Sequence, residues 1–315
     1  MTEINELAKI DKRYYEGFWK RLINRVVITL LKFISYLPFW LLYLWSDFFY
    51  FILRYIIRYR KKVIYTNLRN SFPEKSPGEI SSIANKFYSH FCDVFLETIK
   101  AYSMSAKQFD KRFHFRGIEI FDKYYQQGKS VVLLGMHYNN WEWSSTIQRK
   151  SIHQVLGIYN PVRGNEALEG FMRKIRERWG SKSIPVYKSA RVAIEFNRGD
   201  NPIILGLIAD QTPPPTTKLW MTFLHQETPF FSGPEKIAHR TNQPVFFHHV
   251  RKIKRGVYEV FFYKLFENPA EVKEKEVLLA YAKKMEEIIS QEPEYYLWSH
   301  RRWKHKRPEN IPLIS

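Results

Sequence analysis

The stretch from Val26 to Ile57 is almost wholly apolar and aromatic, broken by Lys32, Pro38 and Asp47, with Arg54 near its end. It exceeds the roughly 20 residues that a spanning helix needs. Such a stretch must be buried in protein or in lipid, and its rings are of the kind that straddle a lipid interface. Lys20, Arg21 and Arg25 precede it, and Arg54, Arg58, Arg60, Lys61 and Lys62 follow. Basic flanks on both sides pull both ends toward the cytoplasm by the positive-inside tendency. Pro38 lacks an amide hydrogen and disfavours helix at Leu37. A break there gives two shorter helices dipping into one leaflet, the reading adopted over one tilted span. The alternative is a helical hairpin buried in a soluble fold, which is seldom so aromatic. Residues 1–20 are polar and lack the apolar core and cleavage site of a signal peptide, so they are expected to be retained.

Lys and Arg number 50 against 31 for Asp and Glu, a formal charge of +19 that attracts polyanions. Nucleic acid, anionic lipid headgroups and an acidic carrier protein are the three partners to weigh. Many rings lie beside Lys and Arg near the N-terminus, which favours lipid. The cations are spread along the chain with no recognisable nucleic-acid module, so no nucleic-acid partner is expected. A non-catalytic basic membrane or nucleic-acid binding protein is the remote alternative. The one cysteine, Cys92, excludes an intramolecular disulfide and a Cys-based zinc site. It is read as an ordinary helix residue.

Residues 66–104 are amphipathic with helical spacing, and Ser76-Pro77-Gly78-Glu79 reads as a helix start. Beyond Phe113, short β-rich runs alternate with helical stretches: 131–136, 155–159, 202–208, 244–250 and 257–263. Leu168, Phe171, Met172, Ile175 and Trp179 lie at helical spacing, and Gly180 stops that helix. This pattern predicts an α/β fold with a central, mostly parallel mixed sheet flanked by helices, preceded by an N-terminal membrane-associated helical segment. The expected division is an anchor over 1–62 and an α/β domain over 63–315.

The most informative stretch is Val131-Val132-Leu133-Leu134-Gly135-Met136-His137-Tyr138-Asn139-Asn140-Trp141-Glu142, a buried strand running into a polar turn. Ligands of open α/β sheets bind at the carboxyl ends of strands, where His137 falls. On a continuous helix, residues five apart point about 140° from each other. His137 and Glu142 therefore meet only if the backbone turns between them. In that geometry Glu142 accepts a hydrogen bond from one ring nitrogen and leaves the other free as a general base. From spacing alone, an ordinary polar loop histidine is an equal reading. No Gly-x-Ser-x-Gly elbow exists, which argues against a serine nucleophile. No His-Glu-x-x-His motif exists either, and His248 and His249 are adjacent in a probable strand, so no metal is expected.

With this motif the chain resembles the lysophospholipid acyltransferase superfamily, whose hallmark is His-x4-Asp or His-x4-Glu. Within it, the chain is most similar to the lipid A biosynthesis acyltransferases of the HtrB/LpxL type. The likeness also rests on Asn67-Leu68, Phe72-Pro73-Glu74, Tyr159-Asn160-Pro161, Arg176-Glu177-Arg178-Trp179-Gly180, Asp210-Gln211, Ser232-Gly233-Pro234 with Ala238, Arg251, and Pro293-Glu294 followed by Tyr296, Trp298 and His300 to Lys304. Asn160 stands where the family usually has Arg, and Leu224-His225 replace its usual Phe-Gly, changes expected to bear on which acyl chain or acceptor is recognised.

The resemblance implies transfer of a fatty acyl chain from an acyl carrier protein thioester to a hydroxyl of a lipid A precursor, a secondary, acyloxyacyl acylation. A lysophospholipid, aminolipid or glycolipid is the alternative acceptor. His137 and Glu142 are the expected catalytic dyad, and no cofactor is needed. Arg176 is either a phosphate ligand for the acceptor or part of a solvated basic helix face. Asp210 either orients an Arg or a sugar hydroxyl, or caps a turn. Arg301 and Arg302 either bind lipid phosphates or hold an anionic membrane surface. The oxyanion donors are expected to be backbone amides near Trp141 or a nearby Arg. The expected location is the inner membrane, with the catalytic domain facing the cytoplasm.

Overall fold

The computed structural model describes residues 17–162, 164–197 and 201–314, so most of the N-terminal stretch expected to be retained lies outside the described residues. The apolar stretch folds as α1 (Phe18–Tyr36) and α2 (Phe39–Phe51), separated at Leu37 and Pro38 as the proline requires. A π-helical turn, Ile52–Ile56, continues α2. Arg58 and Arg60, both in the left-handed region, then turn the chain into α3 (Lys61–Ser71). Among the described residues, no single helix is long and apolar enough to cross a membrane. Phe39–Ile56 and Lys61–Ser71 satisfy length and composition only as a pair, bent by 87°.

One face of these helices is uncovered, with Trp19, Phe33, Trp40 and Phe48 exposed. The other is fastened to α4 (Pro77–Lys100). Lys100 Nζ donates to the carbonyls of Ser35 and Leu37, both at 2.8 Å, and Tyr43 donates to Glu97 at 2.9 Å. Arg255 bridges Asp47 and Asp93. The start of α4 follows from its sequence. Ser76 and Glu79 form a reciprocal capping box ahead of Pro77, a device worth about 1 kcal/mol.

The rest alternates strands and helices: α5 (Ala106–Asp110), β1 (Phe113–Phe115), α6 (Ile120–Gln126), β2 (Val131–Gly135), β3 (Gln154–Tyr159), α7 (Glu166–Glu177), β4 (Lys182–Pro185), α8 (Ser189–Phe196), β5 (Ile203–Ile208), β6 (Trp220–Phe223), β7 (Gln226–Pro229), α9 (Gly233–Thr241), β8 (Val245–Lys254), β9 (Val257–Phe266), α10 (Glu276–Gln291) and β10 (Leu313–Ile314). Seven strands form a mixed sheet in the order β1-β9-β8-β2-β5-β3-β4. Every neighbour pair in it is parallel except β8 with β9. β2 lies inside this sheet and is buried at all five residues, which is why it reads as an unbroken apolar run.

A second sheet, β10-β6-β7, was not expected. Leu224 and His225 are the two turn residues of its β6–β7 hairpin, with φ of 48° and 60°. Both positive values match the turn type that suits the twist of paired strands. The residues that depart from the family pattern here are thus the two turn residues of a hairpin.

Candidate active site

β2 and β5 run parallel with Gly135 opposite Ile208. His137 and Asp210 each follow by two residues, so the register delivers both to the same edge of the sheet. Tyr281 of α10 ties the two strand ends together, donating to the Gly135 carbonyl at 2.6 Å and accepting from the Ala209 amide at 3.3 Å. Asp210 then grips His137 twice. Its Oδ1 lies 2.6 Å from the ring Nδ1, and its Oδ2 accepts the His137 backbone N–H at 2.9 Å. Burial alone would raise the Asp210 carboxyl, but the His137 ring and these hydrogen bonds hold it below the usual carboxylate range.

With Nδ1 donating to a carboxylate, Nε2 is left as the basic nitrogen. Its contact is the Gln211 side-chain amide at 3.2 Å. The Trp141 ring packs edge-on against the imidazole, with ring centres 5.0 Å apart. Asn139 adopts a left-handed φ of 51° between these residues and donates its side-chain amide to the Val250 carbonyl. The turn that the His137–Glu142 spacing requires is therefore present.

Glu142 goes elsewhere than expected. A 3-10 helix, Trp141–Arg149, starts at this turn, capped by the Asn140 side chain on the Trp143 amide. Glu142 is thereby directed to α7, where Arg176 donates Nε to Oε2 at 2.8 Å and Nη2 to Oε1 at 2.6 Å. This bidentate pair is mostly sheltered, with side-chain exposures of 26% for Arg176 and 11% for Glu142. Burial raises the Glu142 carboxyl, and the guanidinium more than offsets it, so the group stays below its usual range. The acceptor for the imidazole N–H is thus Asp210 and not Glu142. Arg176 is thus paired with a carboxylate and is not part of a solvated basic face.

Of the remaining expected site residues, Arg302 is 1% exposed and cannot meet a lipid phosphate. Its guanidinium lies over the Phe230 ring at 4.8 Å without a well-formed hydrogen bond, close enough to bias Asp210 toward its charged form. Arg301 is exposed, and its carbonyl accepts from Thr212 at 3.0 Å. His300, pushed down to about 4 by burial, accepts the Thr212 amide on Nε2 at 3.1 Å. Thr212 and the 298–302 segment so brace the loop that carries Asp210 and Gln211. Sequence reasoning missed Gln211 and Tyr281 as contributors. One available signal was an acidic residue placed as far past one apolar strand as His137 is past another, within the Asp210-Gln211 block.

Beside this edge lies a cavity of about 520 Å³, whose lining includes Asn139, Trp141, Glu142 and Arg176. Most of its remaining wall is apolar, including Ile28 and Leu31 of α1, Val94 of α4 and Leu168 of α7. The first N-terminal helix, α1, therefore builds part of the cavity. Among the described residues, no group of three His, Cys, Asp or Glu side chains is arranged to hold a metal ion.

No curated protein matches the chain significantly. The family model described as bacterial lipid A biosynthesis acyltransferase matches residues 18–305, from the start of α1 to just short of the C-terminal strand. That match takes in the His137–Asp210 edge, the Glu142–Arg176 pair and the apolar cavity together, and the chain belongs to the bacterial lipid A biosynthesis acyltransferases.

Proposed function

We propose that the protein moves a fatty acyl chain from an acyl carrier protein thioester to a hydroxyl of a lipid A precursor, at the cytoplasmic face of the inner membrane. The observation that carries this reading is an imidazole oriented by Asp210 and packed against Trp141, a ring that also lines a largely apolar cavity. His137 Nε2 takes the proton of the acceptor hydroxyl, and the oxygen attacks the thioester carbonyl. Asp210 steadies the imidazolium that forms. The tetrahedral intermediate collapses with loss of the carrier thiolate, to which His137 returns the proton.

The acyl chain occupies the cavity behind Trp141 and Leu168. Burying it there supplies about 0.8 kcal/mol per methylene. Glu142 and Arg176 add the charged side chains of the lining, and Glu142 is near enough to feel the His137 ring, beside which carbonyl charge develops during attack. Arg176 is the candidate cation for that oxygen, and Glu142 fixes its fork. The exposed rings of α1 and α2 meet the lipid layer from which the acceptor is drawn.

The test is incubation of the purified protein with acyl carrier protein thioesters of defined length and separate acceptors: a lipid A precursor, a lysophospholipid, an aminolipid and a glycolipid. Mass spectrometry is expected to show an acyloxyacyl product on the lipid A precursor. Turnover of a different acceptor alone, or of coenzyme A thioesters but not carrier thioesters, overturns the corresponding part of the proposal.

A further inference from the structure

A second concavity, about 540 Å³, lies apart from the apolar cavity. Six exposed cations border it: Arg58 and Arg60 from the turn before α3, Lys61 and Lys62 from its first turn, and Arg301 and Lys304 from the C-terminal segment. No carboxylate shares the lining, and among the described residues none of the six is in an ion pair. Six like charges gathered from segments some 240 positions apart repel one another, and the fold must hold them there.

It does so with costly local geometry. Arg58 and Arg60 both sit at positive φ, 52° and 47°, a region that side chains with a Cβ enter at a cost. The N-terminus of α3 has no side-chain cap, no acidic residue in its first turn, and Lys61 and Lys62 in place of one. The positive end of a helix disfavours lysine, and an anion resolves the conflict. The two walls are also stapled together. Arg60 Nη1 donates to the Ser299 carbonyl at 2.8 Å, and Asn67 donates to the carbonyls of Trp298 and His300 at 2.9 and 3.0 Å. Strain, an uncapped helix start and prepaired walls together describe a preorganised oxyanion site.

Its place in the molecule narrows the occupant. Tyr55, Ile56 and Ile57, exposed at the end of the apolar stretch, lead straight into Arg58. The groove therefore begins where uncovered apolar surface stops, at the level of headgroups for a helix pair lying in lipid. It is also close to the active site, since Arg301 accepts from Thr212, whose neighbour Gln211 touches His137. We propose that this groove binds the phosphate group of a lipid headgroup, holding the lipid at the interface beside His137. A compact concave site with forked arginines suits a phosphate better than the broad acidic face of a carrier protein. This rests on the reading of the chain as an enzyme of a lipid surface, but its test does not need acyl transfer.

The experiment is vesicle flotation with the full chain and three compositions: phosphatidylcholine alone, with phosphatidic acid, and with an equal charge of a carboxylate lipid. The wild type is expected to bind phosphatidic acid vesicles at least tenfold more tightly than the other two, and inorganic pyrophosphate to remove that preference. Arg58→Gln/Lys61→Gln/Arg301→Gln is expected to lose the preference tenfold, while Lys107→Gln/Lys111→Gln/Lys273→Gln, exposed lysines elsewhere, changes it less than threefold. Equal losses in both triple variants, or no discrimination between phosphate and carboxylate lipids by the wild type, overturn the proposal. So does a groove variant with unchanged vesicle preference but weakened acyl carrier protein binding, which reassigns the groove to the donor. Failure of acyl transfer with the vesicle preference intact contradicts the enzymatic reading and leaves the phosphate site standing.

Discussion

Asp210 accepts both the ring Nδ1–H and the backbone N–H of His137, so one buried carboxylate fixes the histidine's position and its tautomer together. Replacing it with Asn, which has one acceptor oxygen in place of two, breaks that double grip. Asp210→Asn is expected to lower kcat by about 10²-fold or more with little change in KM, measured by acyl transfer at saturating thioester. A larger effect on KM than on kcat contradicts the orienting role.

Glu142 and Arg176 form a largely sheltered pair, so removing either partner strands the other. Each of Glu142→Gln and Arg176→Met is expected to cost about 2–3 kcal/mol in urea unfolding, somewhat below the range for fully buried pairs because Arg176 keeps some exposure. The double variant is expected to cost less than the sum of the singles. Strict additivity contradicts the pairing.

Leu168 contributes to the apolar wall of the cavity. Leu168→Trp fills part of it and is expected to shift donor preference toward shorter chains. Each methylene excluded costs about 0.8 kcal/mol, roughly fourfold in relative kcat/KM. A thioester length series reads this directly, and an unchanged preference removes the cavity from the acyl site.

Glu97 is buried against Asn140, Tyr258 and Tyr43. Burial first, and then the Asp93 charge, push its carboxyl up to about 7 against the opposing hydrogen bonds. A carboxyl raised in the folded state gives stability that is fully present below its unfolded pKa, near 4, and lost as pH rises through about 7. The stability difference between wild type and Glu97→Gln is therefore expected to move against the wild type from pH 5 to pH 8, by on the order of 3 kcal/mol. A pH-independent difference contradicts this.

Much of the architecture was written locally. The buried run ending at Gly135, the capping box at Ser76, the helical spacing from Leu168 to Ile175 and the break at Pro38 each depend on neighbours in the chain. The short strands β1 and β4 and the second sheet escaped notice because three or four residues carry little periodic signal, and long-range pairing defines them. The site divided the same way. His137 at a strand end was legible, whereas its partner depends on the β2–β5 register across 73 positions. Glu142 was not seen as a partner of Arg176 because a 3-10 start at Trp141 turns it toward α7. Arg302 read as a surface cation because its burial comes from packing against Phe230, far away in sequence.

The imidazole of His137 is the one group the proposed chemistry cannot lose. His137→Ala, assayed for transfer from an acyl carrier protein thioester to a lipid A precursor, is expected to lose about 10³-fold or more in rate while vesicle binding and melting temperature stay as in the wild type. Activity retained within about threefold of the wild type contradicts the account.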